Sequence, residues 1–305
     1  MKPRAEALAQ ALPPLLLAAE RVAEVAMHGV HGRRRAGPGD AFWQFRPYAP
    51  GDAAASIDWR KSARAERLFV RENEWMAANT LWLWVQRDAG MRWRSHLARE
   101  DKQHRALLLA LALARLAQRA GERTGVIGAP FAPDHTRAAF ERMAQYWLTR
   151  DEEATESASL PPTVPLPRFS SVVLVGDFFA APEELKRRMV TLAASGVRGH
   201  LLQVVDPAEE TFPYEGRVRF TDMQGSRQLL SERAEDLRAA YQRRLATLRA
   251  ELATQARRLG WTFAVHRTDA PPQRALLALW ARLADAPLAA GAHDAAPGDT
   301  KGAAA

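Results

Sequence analysis

Residues 171–179 read SVVLVGDFF, an unbroken run of β-branched and apolar side chains closed by a single aspartate. A strand with one wet face alternates polar and apolar residues, so a continuous run reads as a strand buried on both faces, as in the middle of a parallel sheet. Residues 80–86, TLWLWVQ, have the same character, and HLLQVVD at 200–206 repeats both the run and the terminal acid. ERTGVIG (122–128), RVRF (217–220, an edge strand) and TFAVHR (262–267) are shorter strand candidates. Between them apolar residues recur at helical spacing: Leu107, Leu108, Leu111 and Leu116 within 101–119; Phe140, Met143 and Trp147; a segment from about 182 to 195; Leu237, Tyr241, Leu245, Leu248, Leu252 and Leu259; and LLALWARL at 276–283. This alternation from residue 80 onward predicts an α/β domain with a doubly wound, mainly parallel sheet of Rossmann type. In such sheets function gathers at the C-terminal strand ends, here 86–91, 128–130, 176–179 and 205–210.

Composition narrows the function classes. A chain of 305 residues with 47% hydrophobic content can bury a sizeable core. Its formal net charge of +8 is compatible with acidic partners, but only five of the 43 basic residues are lysine, a usage that genome base composition also produces. Without cysteine there are no disulfides, thiolate metal sites or cysteine nucleophiles. The apolar run 12–19 is too short to span a bilayer and is followed at once by Glu20 and Arg21. It reads as part of an amphipathic helix, kinked or restarted at Pro13 and Pro14, packed on the domain of a cytoplasmic protein.

Motifs for common chemistry are missing from the sequence. It contains no GxxxxGK[ST] loop, no glycine-rich dinucleotide fingerprint after the first parallel strand, no HExxH and no GxSxG elbow. His28 and His31 lack a third ligand nearby. Glu183 and Glu184 read as an acidic first helical turn, and Glu209 and Glu210 as a solvated loop. Arg33, Arg34 and Arg35, with Arg46 and Arg60 and near Trp43 and Trp59, give an alternative reading as a basic nucleic-acid or phosphate binder, which an exposed turn with internal ion pairs disfavours. Asp88 and Asp177 stand at strand ends, where two carboxylates can hold a hard divalent cation; a helix N-cap at each position is the competing reading.

The stretch 46–75, RPYAPGDAAASIDWRKSARAERLFVRENEW, carries four short motifs in one window: R-x-Y-x-x-G-D on Arg46, Tyr48, Gly51 and Asp52; I-D-W on Asp58 and Trp59; S-A-R ending at Arg64; and V-R-E on Arg71 and Glu72. It resembles the defining block of the domain of unknown function 58 family, and the likeness extends over nearly the whole chain. The resemblance implies a von Willebrand factor A-like domain at 79–286, preceded by an N-terminal helix and signature region at 1–78; the tail at 287–305 reads as disordered from its Ala, Gly, Asp and Pro composition. It further implies a non-enzymatic interaction module working with a MoxR-type AAA+ ATPase on a client protein. In A-type domains a metal-ion-dependent site uses D-x-S-x-S after the first strand, a threonine and a late aspartate. Here Gln86, Asp88 and Gly90 stand at the first three positions, Asp177 at the last, and Thr136 is a candidate threonine. The implied site is therefore degenerate, holding no ion or a weakly bound Mg²⁺ at Asp88 and Asp177.

Within the signature, Gly37, Pro38, Gly39, Pro50 and Gly51 are expected to set turns; Trp43, Tyr48, Ile57 and Trp59 to be buried anchors; and Arg46, Asp52, Asp58 and Arg64 to form internal pairs. LFVREN (68–73) is expected as a strand, and the acidic, proline-rich 151–168 as a surface linker.

Overall fold

The computed structural model describes residues 2–28, 42–47, 59–64, 67–73, 80–149, 159–222 and 227–284. In chain order these form helix α1 (Lys2–His28), strand β1 (Phe42–Pro47), the short helix α2 (Trp59–Ser62), β2 (Phe69–Asn73), β3 (Thr80–Val85), a 3-10 turn (Ala89–Arg92), α3 (Lys102–Arg119), β4 (Arg123–Val126), α4 (Arg137–Thr149) and β5 (Ser171–Gly176). They continue with α5 (Pro182–Ala194), β6 (Arg198–Val205), α6 (Pro207–Thr211), β7 (Val218–Thr221), β8 (Gln228–Ser231), α7 (Arg238–Arg258), β9 (Thr262–Arg267) and α8 (Pro272–Ala284).

The doubly buried runs become the centre of a five-stranded sheet in the order β4-β3-β5-β6-β9, parallel at every pairing. Side chains alternate across it, and both sets are apolar because helices cover both faces. Leu81, Leu83, Val85, Val173, Val175, Leu202 and Val204 pack under α1, α3, α4 and α8. On the opposite face Trp84, Val172, Leu174 and Leu201 meet Leu185, Met189 and Leu192 of α5 and Leu252 and Ala256 of α7. The result is the three-layered, doubly wound α/β architecture of Rossmann and von Willebrand factor A-like domains.

Helix α1 runs through Pro13 and Pro14 as one element. Its stripe Leu15, Ala19, Val22, Ala23 and Ala26 is buried in the same core as α3, so the N-terminal helix is part of one covering layer. Among the described residues no helix is long and apolar enough to cross a membrane.

Three expectations change. Within the proline-rich 151–168 segment, Leu160 and Leu166 are buried in the second core rather than lying on a surface linker. Prolines at 161, 162, 165 and 167 favour extended backbone, which lays the two leucines on the sheet. Pro162 also occupies the space beside Gly128, where φ is +78° and an added Cβ would meet the ring at 2.7 Å. RVRF is not an edge strand of the main sheet; it pairs with β8 in a separate antiparallel hairpin. Trp59 is 65% exposed, not a buried anchor, on a helix too short to bury a face.

Candidate functional site

The chain leaves β3 for β4 on one side and then returns past β3 to β5, so the loops after β3 and β5 part from each other. That is the topological switch point, where open α/β sheets bind their ligands. Asp88 and Asp177 both stand there, and Gln86 joins them. The Gln86 amide donates from Nε2 to Asp88 Oδ2 at 2.7 Å and to Asp177 Oδ1 at 2.9 Å, while its Oε1 accepts the Phe178 N–H at 3.0 Å. Asp88 also caps the 3-10 turn, accepting the Met91 N–H at 3.3 Å. Asp177 takes the Phe179 N–H at 3.1 Å and caps no helix.

The fourth member is Lys102, the first residue of α3. Its Nζ donates to Asp177 Oδ2 at 2.7 Å and to Glu209 Oε1 at 2.5 Å, with only 2% of the side chain exposed. The ring centroids of Phe179 and Trp93 lie 5.2 and 6.0 Å from the ammonium, within cation–π range. Burial alone would lower the Lys102 pKa, but the charges of Asp177 and Glu209, with the hydrogen bonds to both, outweigh it and hold the group above its ordinary value. Burial pushes Glu209 up, against the opposing charge of Lys102. Lys102 is therefore an ammonium at neutral pH, and neither a free base nor a nucleophile.

The neighbouring loops are tied down in the same way. Asp206, buried at the end of β6, accepts Ser95 Oγ at 2.5 Å and Ser95 N–H at 2.9 Å, fixing the β3 loop to β6. It also starts α6 with a capping box: its side chain accepts the Ala208 N–H at 2.8 Å, and Glu209 Oε2 accepts the Asp206 N–H at 2.9 Å. Gln203 reaches from β6 to the Asp177 carbonyl at 2.8 Å and receives Arg249 Nε at 2.8 Å; Arg249 in turn pairs with Glu210 at 2.5 Å. Three non-glycine residues here are left-handed: Phe178 (φ 59°), Ala181 (46°) and Phe212 (47°). Such backbone costs about 1–3 kcal/mol per residue and persists only where its surroundings enforce it. Phe220 stacks on Phe212, Tyr214 meets both rings edge-on and Tyr241 packs against Phe212 at a tilt, which seats the β7–β8 hairpin beside these loops.

The structure thus brings Asp88 and Asp177 together, and it adds a cation of its own. The set does not fit a divalent ion: Asp177 already accepts an ammonium, and a dication on the same oxygens would face that like charge at close range. Among the described residues, no group of three acidic or histidine side chains is arranged to hold a metal. Thr136 is spent elsewhere; its hydroxyl donates to Asp134 at 2.8 Å and accepts the Ala139 N–H at 3.2 Å at the start of α4. Glu183 and Glu184 do form an acidic first turn on α5, paired with Lys186, Arg187 and Arg188. Glu209, expected in a solvated loop, is instead largely buried on Lys102; its signal was the D-x-x-E spacing from Asp206. Lys102 itself carried no local signal.

Of the signature residues, Tyr48, Gly51, Asp52 and Asp58 lie outside the described residues, as do Arg33–Arg35 and the tail 287–305. Arg46 sits on β1 and Arg71 and Glu72 on β2, in an antiparallel pair that matches Gln44 with Glu72, Phe45 with Arg71 and Arg46 with Val70. Arg64 and Arg60 are exposed, and α2 is anchored to β2 by the Phe69 N–H donating to Ser62 Oγ at 2.9 Å.

No curated protein matches the chain. Two solved structures resemble it. One is the crystal structure of the conserved hypothetical protein BatB from Bacteroides thetaiotaomicron, 12% identical with a TM-score of 0.38, covering 68% of this chain and 100% of that one. The other is that of an uncharacterized membrane spanning protein from Vibrio fischeri, 10% identical with a TM-score of 0.18, covering 68% and 98%. At these scores the fold rests on the strand order and register described above. The family described as "Protein of unknown function DUF58" matches residues 44–251, a span that contains the whole strand-end cluster and most of the signature. The chain belongs to the DUF58 family.

Proposed function

We propose that the chain is a protein-docking module without chemistry of its own, working through the C-terminal ends of its sheet and the exposed Trp59 of its signature region. The partner on this reading is a MoxR-type AAA+ ATPase, and the setting is maturation or remodelling of a client protein. The observation that carries the reading is the closed polar cluster at the switch point. Lys102, Asp177, Glu209, Gln86 and Asp88 are bonded to one another in a single network, so the residues that could have done acid–base or nucleophilic work shape a surface instead. Around it the left-handed residues hold a fixed loop outline, and the hairpin projects. Successive strand residues point to opposite faces, so the exposure of both Leu229 (56%) and Leu230 (46%) means that β8 stands clear on both sides. Leu97 in the β3 loop (43%) and Trp59 (65%) add exposed apolar contact points of the kind that anchor interfaces.

Biolayer interferometry between the purified chain and a MoxR-type ATPase encoded in the same genome tests this. Binding should weaken about tenfold or more in Leu229→Glu and Leu97→Glu, whose exposure leaves the fold intact. The absence of any complex at tens of micromolar, or equal binding by both variants, would refute it.

A further inference from the structure

The strand-end cage is built around a cation that the chain carries itself. Lys102 is the first residue of α3, where the helix dipole disfavours positive charge, and its side chain is 2% exposed, where burial disfavours any charge. A lysine in that position needs strong local compensation, and two carboxylates supply it: Asp177 Oδ2 at 2.7 Å and Glu209 Oε1 at 2.5 Å. The other oxygen of each acid is committed to the polypeptide. Asp177 Oδ1 accepts from Gln86 and the Phe179 N–H, and Glu209 Oε2 accepts the Asp206 N–H. The loops after β3, β5 and β6 and the start of α3 thus converge on one ammonium, roofed by the rings of Phe179 and Trp93. The turn 89–92 lies directly against the acids: a Cβ on Gly90 would stand 3.2 Å from Asp88 Oδ1 and 3.6 Å from Asp177 Oδ2, and glycine offers no ligand oxygen there.

We propose that Lys102 supplies, on a tether, the cation around which the strand-end carboxylates are organised, so that this face takes up its shape without a divalent ion. A metal would have to displace the ammonium from Asp177 and leave it buried on Glu209 alone with a second cation nearby, which opposes binding from both sides. The inference is independent of the choice of partner, and its tests use the chain alone.

Thermal unfolding and titration calorimetry decide it. Wild-type protein should show the same Tm, within about 1 °C, in EDTA and in millimolar Mg²⁺, Mn²⁺ or Ca²⁺ at fixed ionic strength, and no binding heat. A saturable rise in Tm or a binding isotherm would overturn the proposal. Lys102→Met should lower Tm by roughly 6–20 °C, because it strands the buried Asp177 and the largely buried Glu209. Adding Asp177→Asn and Glu209→Gln to Lys102→Met should recover at least half of that loss. If the neutralised triple variant is no more stable than Lys102→Met, the lysine acts through packing and the proposal fails. Should Lys102→Met not fold, soluble triple variant supports the proposal, and failure of both counts against it.

Discussion

Gln86→Glu changes one atom of a side chain that is 1% exposed, and its cost can be worked from the contacts. The substitution keeps the oxygen that accepts the Phe178 N–H and replaces the amide nitrogen that serves Asp88 at 2.7 Å and Asp177 at 2.9 Å. If the new carboxyl stays ionised it faces two carboxylates at about 3 Å, each repelling by roughly 5 kcal/mol at an effective dielectric constant of about 20. If it takes a proton instead, holding that proton at pH 7 against an ordinary pKa of about 4.3 costs about 4 kcal/mol. The protonated form can donate to only one of the two acids, so a further hydrogen bond to a charged group, about 1.5–3 kcal/mol, is lost. The cheaper route sets the outcome: a loss of about 5–7 kcal/mol, or a Tm lower by roughly 10–30 °C. Because protonation becomes free near pH 4–5, most of the difference from wild type should vanish there. Urea unfolding of both proteins at pH 7 and pH 5 reads the effect. A loss below about 1 kcal/mol at pH 7, or one that does not shrink at pH 5, would refute the geometry given to Gln86.

Two other perturbations follow from burial. His200 and His266 are held neutral, both lowered to about 4, chiefly by burial and then by nearby arginines, Arg198 and Arg105 respectively. The unfolded chain binds these protons near pH 6.5 and the folded chain only near 4. Stability should therefore be complete above about pH 6.5 and fall between 6.5 and 4, by up to about 3 kcal/mol for each histidine; His266→Gln should flatten the profile, and an unchanged profile would count against its buried neutral state. At Gly199 an added Cβ would stand 1.9 Å from the ring of the buried Trp261, so Gly199→Ala should cost about 3 kcal/mol or more in chemical denaturation, and a near-wild-type midpoint would contradict that packing.

What was legible in the sequence follows from how each signal is encoded. β3, β5 and β6 could be read because burial on both faces removes polar residues from a run. β8 could not: QLLS exposes both its leucines and shows neither alternation nor a continuous core run. Leu160 and Leu166 were hidden by the prolines around them, whose composition resembles a linker while their stiffness serves packing. At the site, the acids at the strand ends were visible by position, because topology alone brings Asp88 and Asp177 to the switch point. Their partner was not. Lys102 lies 75 residues from Asp177 and 107 from Glu209, and one lysine at a helix start looks like any other until the helix is placed.

Hydrogen–deuterium exchange on the proposed complex with a MoxR-type ATPase tests the docking face most directly. Protection is expected in the β3 loop at 87–99, the β5 loop at 177–181 and the hairpin strands at 218–221 and 228–231, with the N-terminal strand ends near Gly121, Gly196 and Gly260 unchanged. Protection confined to those N-terminal ends, with the three loops exchanging as in the free chain, would contradict it.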